Sequence, residues 1–152
     1  MPFIQRIEFR AHAQATEVVE RVQSAVLRLF PENLRKDIEL NSVLTEGHNE
    51  NRIVVITTTV KKKQLCNGIL DYIFGKLSLE DKLYLESTLD ARVDESCTLF
   101  LRFSKQAAYL NDIKVAAGPD LISVNVHLLQ YPRCVREDAK EMILNRLDIE
   151  EE

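Results

Sequence analysis

The chain has 152 residues, 45% hydrophobic and 29% charged, with 20 basic against 24 acidic side chains, which suits one globular domain. No apolar run approaches the roughly 20 residues that cross a bilayer, and charge interrupts the N-terminal stretch too early for a secretory signal, so a cytoplasmic chain without membrane partners is expected. Cys66, Cys97 and Cys134 are odd in number, far apart and without a Cys-x-x-Cys pair, which indicates neither a zinc site nor a disulfide framework and predicts reduced thiols.

Residues 3–13 alternate, with Ile7, Phe9 and Ala11 on one side and Arg6, Glu8 and Arg10 on the other, the pattern of a half-buried strand. A helix is expected from Thr16, whose hydroxyl can cap it while Glu17 complements its positive end; Val18, Val22, Val26 and Leu29 give it an apolar stripe and Pro31 ends it. Residues 37–44 read as a short strand. A Gly47-His48-Asn49 turn then leads into a β-branched strand over 51–60. The spacing of Leu65, Ile69, Leu70 and Ile73 predicts a helix over 63–74 that stops at Gly75. Ser78 with Asp81 at capping-box spacing opens another, with Leu79, Leu83 and Leu89 inward.

Leu99, Leu101 and Phe103 alternate with Phe100 and Arg102 in a strand over 97–103. Further strands are expected over 111–116 and 121–129, joined by a Gly118-Pro119-Asp120 turn. A last helix over 133–147 buries Val135, Ala139, Met142, Ile143 and Leu147. Short connections favour hairpins, so the fold class is α+β, a mostly antiparallel sheet with helices packed on one face and the other face open. A single domain is expected over 1–147, followed by an acidic tail over 148–152.

The open face is where a function would sit. It collects Arg6, Arg10, His12 and Arg102 around Phe100, and guanidinium groups beside an exposed ring suit a phosphodiester chain with unstacked bases. Lys61-Lys62-Lys63 stands where a strand gives way to a helix, and Arg133 and Arg136 stand at the start of the last helix. Each group suits either phosphate contacts or a solvated surface. The net charge of −4 opposes nucleic-acid binding, yet Asp148, Glu150, Glu151 and Glu152 account for it, and without them the chain is formally neutral.

The four glycines form neither a Walker loop nor a Gly-x-Gly-x-x-Gly fingerprint, and there is no His-Glu-x-x-His or Gly-x-Ser-x-Gly. No cofactor or metal is therefore called for. His12 and His127 both fall on polar strand faces. Brought together they could act as an acid–base pair on RNA, and otherwise they are ordinary surface residues.

Phe9-Arg10-Ala11-His12, then Ala15-Thr16-Glu17 and Val22, resembles the opening of an archaeal family of small RNA-binding proteins described as predicted exosome subunits. The similarity continues through Gly47-His48 with Asn51, through Leu101-Arg102-Phe103-Ser104-Lys105-Gln106-Ala107 and through Tyr131-Pro132-Arg133. Where the family usually shows a second glycine in its Gly-His-x-Gly-Asn turn, this chain has Glu50, a negative charge in that loop. The resemblance implies a fold similar to that of the large-subunit ribosomal protein that binds the smallest ribosomal RNA. It also implies RNA association rather than a defined reaction.

A non-catalytic RNA-binding accessory of an exosome-like or ribosome-associated assembly is thus expected, with RNA and exosome or ribosomal proteins as partners. Arg6, Arg10, His12, Lys61, Lys62, Lys63, Phe100, Arg102, Lys105 and Arg133 are the candidate RNA contacts. A protein–protein adaptor using the same face, and a metal-independent nuclease built on His12 and His127, are the alternatives.

Overall fold

The computed structural model describes residues 1–46 and 52–149, so the Gly47-His48-Asn49 turn lies outside the described residues. Alternation places β1 (Phe3–Ala13) at the centre of a five-stranded sheet. It lies between β3 (Arg52–Val60) and β5 (Leu121–Leu129), with β2 (Asn41–Glu46) and β4 (Thr98–Ser104) outermost. Every pairing is antiparallel. A register shift between Ile4 and Arg6 lets β1 keep Ile4 and Ile7 both buried.

One face carries the core. Ile7, Phe9, Leu99, Leu101, Phe103, Val124 and Val126 pack in one cluster with Val22, Val26, Met142 and Ile143, as the alternation predicts. Phe9 and Phe30 hold its centre, with ring centroids 4.4 Å apart. The helices α1 (Val19–Leu27), α2 (Lys63–Lys76), α3 (Leu79–Arg92) and α5 (Arg136–Leu147) contribute the other side.

Several local expectations give way to tertiary contacts. Thr16 does not cap α1, which begins at Val19 after an uncapped Val18 that is itself exposed. Glu17 instead folds back on the Gln14 amide at 3.0 Å and pairs with Lys105. Gly75 does not end α2, which runs on to Lys76. Ser78 does accept from the Asp81 amide at 3.1 Å. The Asp81 carboxylate turns away to the Val115 amide at 3.0 Å, so half of the capping box serves a long-range contact. Leu79 and Leu83 are exposed, and Leu85 and Leu89 supply the buried face of α3.

The strand expected over 37–44 is shorter: a 3₁₀ turn (Glu32–Asp37) ends at its first residue, and only 41–44 belong to a strand, β2. The one expected over 111–116 reduces to a single bridge between Phe103 and Val115. Before it, Ser104 caps a short helix, α4 (Lys105–Tyr109), which the sequence reading does not include. Asn111 follows with φ 66°, a left-handed conformation that asparagine tolerates. This stretch still serves the sheet. Ser104 donates to Lys114 O at 2.9 Å and Ala116 donates to Arg102 O at 3.0 Å, while Arg92 Nη1 donates to Phe100 O at 3.3 Å. The outer edge of β4 is thereby paired within the chain, which blunts it against edge-to-edge association.

The cysteines are a correction. Cys97 and Cys134 form a disulfide with a Cα separation of 6.0 Å, and only Cys66 is free, buried where burial pushes its thiol pKa up. The two halves come from the start of β4 and the loop after β5, 37 positions apart, so no local spacing could announce the pair. The last helix also starts later than expected, leaving Val135 part-exposed.

Candidate nucleic-acid interface

Antiparallel register fixes which side chains share a row on the open face. Arg10 stands opposite Thr57 on one side and Ser123 on the other, and Ser123 stands opposite Arg102. Arg10 and Arg102 are therefore two strands apart, about 9–10 Å between backbones, with a small hydroxyl between them. Both are exposed, and neither enters an ion pair among the described residues. The next row runs Thr59, Glu8, Asn125, Phe100. Phe100 is 39% exposed because Leu99 and Leu101 take the core side of β4. The two rows line one concavity of about 330 Å³. Thr57, Thr59 and Glu8 are not among the contacts expected from the sequence, although the outward phase of their strands already aims them here.

One row further along β1, the groups are already engaged. Arg6 Nε donates to Glu8 Oε1 at 3.0 Å and Nη1 to Gln5 at 3.3 Å. His127 Nε2 lies 2.9 Å from the same Glu8 oxygen, close but not aligned as a hydrogen bond. Its Nδ1 is 3.2 Å from Thr98 Oγ1. The bond from Arg6, helped by His127, outweighs partial burial and holds the Glu8 carboxyl below its ordinary pKa.

His12 is exposed at the other end of β1. Arg6 pairs with His127, and His12 lies six positions beyond Arg6, roughly 20 Å away at strand rise. The two histidines do not meet, so the proposed acid–base pair is not formed. Desolvation first, then the charges of Arg10 and Lys105, lower the His12 pKa.

Lys105 stands apart from the surface candidates. Its side chain is nearly buried; Nζ donates to His12 O at 2.8 Å and to Glu17 at 2.8 Å, and forms an ion pair with Asp120 at 2.6 Å. Nearly buried and engaged by three oxygens of the chain, it ties the end of β1 to α4 and to the start of β5 rather than facing a phosphate. Its main partner is 88 positions distant, beyond the reach of any sequence motif.

Lys61, Lys62, Lys63 and Arg133 are exposed. Lys62 is the N-cap of α2, without a side-chain cap bond. Lys63 Nζ lies 4.8 Å from the Phe3 ring, and Phe3 contacts Tyr131, which precedes Arg133 in the same turn. These cations therefore gather near the end of the sheet opposite His12. Arg136 is used structurally: Nε donates to Val93 O at 2.8 Å and Nη2 to Asp90 O, closing the C-terminal end of α3. Among the described residues no cluster of three or more His, Cys, Asp or Glu could hold a metal ion, and no helix is long and apolar enough to cross a membrane.

A family model described as RNA binding matches residues 6–128, a span that includes the whole two-row concavity. The chain belongs to this RNA-binding family. It is 38% identical over 127 residues to an RNA-binding protein of Pyrococcus abyssi, covering 83% of this chain and 82% of that one. It is 31% identical over 145 residues to a protein of Methanocaldococcus jannaschii, covering 93% and 96%. Among solved structures, a DUF54 protein from Archaeglobus fulgidus superposes with a TM-score of 0.81 at 28% identity, over 94% of this chain and 99% of that one. The RNA-binding part of the expectation thus stands on the family.

Proposed function

We propose that the chain binds single-stranded RNA on the open face of its sheet, as a non-catalytic component of an RNA-processing, exosome-like or ribosome-associated assembly. One observation carries this reading: two exposed arginines without an ion pair among the described residues, Arg10 and Arg102, flank Ser123 beside the exposed ring of Phe100. The arginines suit the backbone of a strand and the ring suits an unstacked base. Lys61, Lys62, Lys63 and Arg133 extend the positive track towards the other end of the sheet. Membership of an RNA-binding family supports the substrate class, and the name of the Pyrococcus abyssi relative is in keeping with it. The assembly rests on the family resemblance in the sequence.

The experiment is a salt titration of binding to single-stranded and duplex RNA, paired with native purification before and after ribonuclease treatment. Steep salt dependence, with partners lost on ribonuclease treatment, supports the proposal. Salt-insensitive capture of a protein that survives ribonuclease would turn the same face into an adaptor surface.

A further inference from the structure

We infer that Phe100, Asn125 and Glu8 form a base-reading site selective for unpaired guanine, with Glu8 accepting from the N1–H and N2–H groups of its Watson–Crick edge. The inference rests on the reading of the open face as an RNA surface. It begins from an oddity of that face, a carboxylate in the wall of a concavity otherwise suited to an anionic polymer.

A carboxylate repels phosphate, so its place beside Arg10 and Arg102, which have no ion pair among the described residues, calls for a ligand that offers donors. An ionised carboxylate only accepts hydrogen bonds. Among the four RNA bases, only guanine presents two adjacent donors on its Watson–Crick edge. Adenine and cytosine each set one donor beside an acceptor, and uracil flanks its single donor with two acceptors. The residue type thus selects the base.

The register supplies the geometry. Phe100 pairs with Asn125, and Asn125 pairs with Glu8, so ring, amide and carboxylate stand in one row on three neighbouring strands. Phe100 and Glu8 are about 9–10 Å apart between backbones, a span that a purine stacked on the ring crosses over Asn125. Arg10 and Arg102 lie one row along, about 7 Å away at strand rise, where they can hold the phosphate of the same nucleotide. All of these residues line the one concavity.

Glu8 is also held ready. Arg6 and His127 both contact Oε1, the side chain remains 41% exposed, and Oε2 has no partner among the described residues. The Arg6 bond orients the group and still leaves Oε1 a second lone pair, so both oxygens can accept. The lowered pKa keeps it ionised, as an acceptor for two donors must be.

The test uses fluorescence anisotropy with labelled oligouridines of about ten nucleotides carrying one central guanosine, inosine, adenosine or cytidine. The wild-type protein is expected to bind the guanosine strand about 5- to 150-fold more tightly than the adenosine or cytidine strands, the range of one good bidentate pair. Inosine, which lacks the N2 amino group, should fall between. Glu8→Gln should bring guanosine and adenosine within about twofold while plain oligouridine still binds. Equal wild-type affinity for all four strands overturns the base-reading site and leaves RNA binding intact. No binding to any strand overturns both readings. A guanosine preference that persists in a folded Glu8→Gln protein overturns the assignment to Glu8. Should that variant fail to fold, the wild-type comparison of guanosine with inosine decides alone, and equal affinity for the two overturns the site.

Discussion

Arg10 and Arg102, 92 positions apart in the sequence, both stand opposite Ser123, one on each side of β5. They make an exposed pair of guanidinium groups with no anionic partner of their own among the described residues. Replacing either by alanine should weaken single-stranded and duplex RNA alike. It should also make the log–log salt slope shallower by about 0.7 per lost contact to a single strand. Melting temperature should hardly change, since neither side chain is packed. An unchanged slope in both variants would remove this row from the interface.

Phe100 should behave differently from the arginines. Stacking on an unpaired base is worth about 1–3 kcal/mol, so Phe100→Ala should weaken single-stranded RNA by that amount and duplex much less. The ring is part-exposed, so denaturant unfolding should move little. A large loss of stability with no selective loss of single-strand binding would show that the ring serves packing.

Leu101 tests the sheet itself. It is 1% exposed between the outward Phe100 and Arg102, and Leu101→Ala should cost about 2–5 kcal/mol through the cavity left behind. A loss under about half a kcal/mol by chemical denaturation would contradict the register of β4.

Lys105 tests the separation of structural from RNA-facing cations. Lys105→Ala removes the Lys105 donor from the His12 carbonyl and from the Glu17 carboxylate, which keeps its bond from the Gln14 amide. Because Glu17 and Asp120 are partly solvated, the loss should be about 1–3 kcal/mol rather than that of a fully buried pair. RNA affinity of the folded variant should stay within about twofold of wild type. A fall like that of Arg102→Ala, at unchanged stability, would put Lys105 back on the surface.

His12 makes a pH prediction. Its folded pKa lies below the ordinary 6.5, so the unfolded chain takes up the proton more readily than the folded one. The sign follows: His12 costs no stability above about pH 6.5, and the fold loses some as pH falls through that value. An NMR titration of its ring protons should give a midpoint below 6.5, and the melting temperature of His12→Ala should fall less on acidification than that of wild type. A midpoint above 6.5 would mean that an anion, rather than desolvation with Arg10 and Lys105, dominates its surroundings.

Strand phase was legible in the sequence because it is a local property. A side chain in an extended chain alternates faces whatever lies beside it, so β1, β4 and β5, their inward residues and the outward Arg10, Phe100 and Arg102 could all be read from the residues alone. The family resemblance carried RNA binding in the same way, through short runs that survive in order. Tertiary structure decided everything that depends on partners distant in the chain. Only the order β2-β3-β1-β5-β4 brings Arg10 and Arg102 to either side of Ser123 and sends His12 and His127 to opposite ends of β1. Only packing takes Lys105 from the surface into a pocket of acceptors, turns Glu17 and Asp81 from helix ends to distant partners, and closes Cys97 on Cys134. A charged or sulfur-bearing side chain is satisfied by whichever complementary group the fold delivers, and that group's position along the chain follows from topology rather than from local sequence.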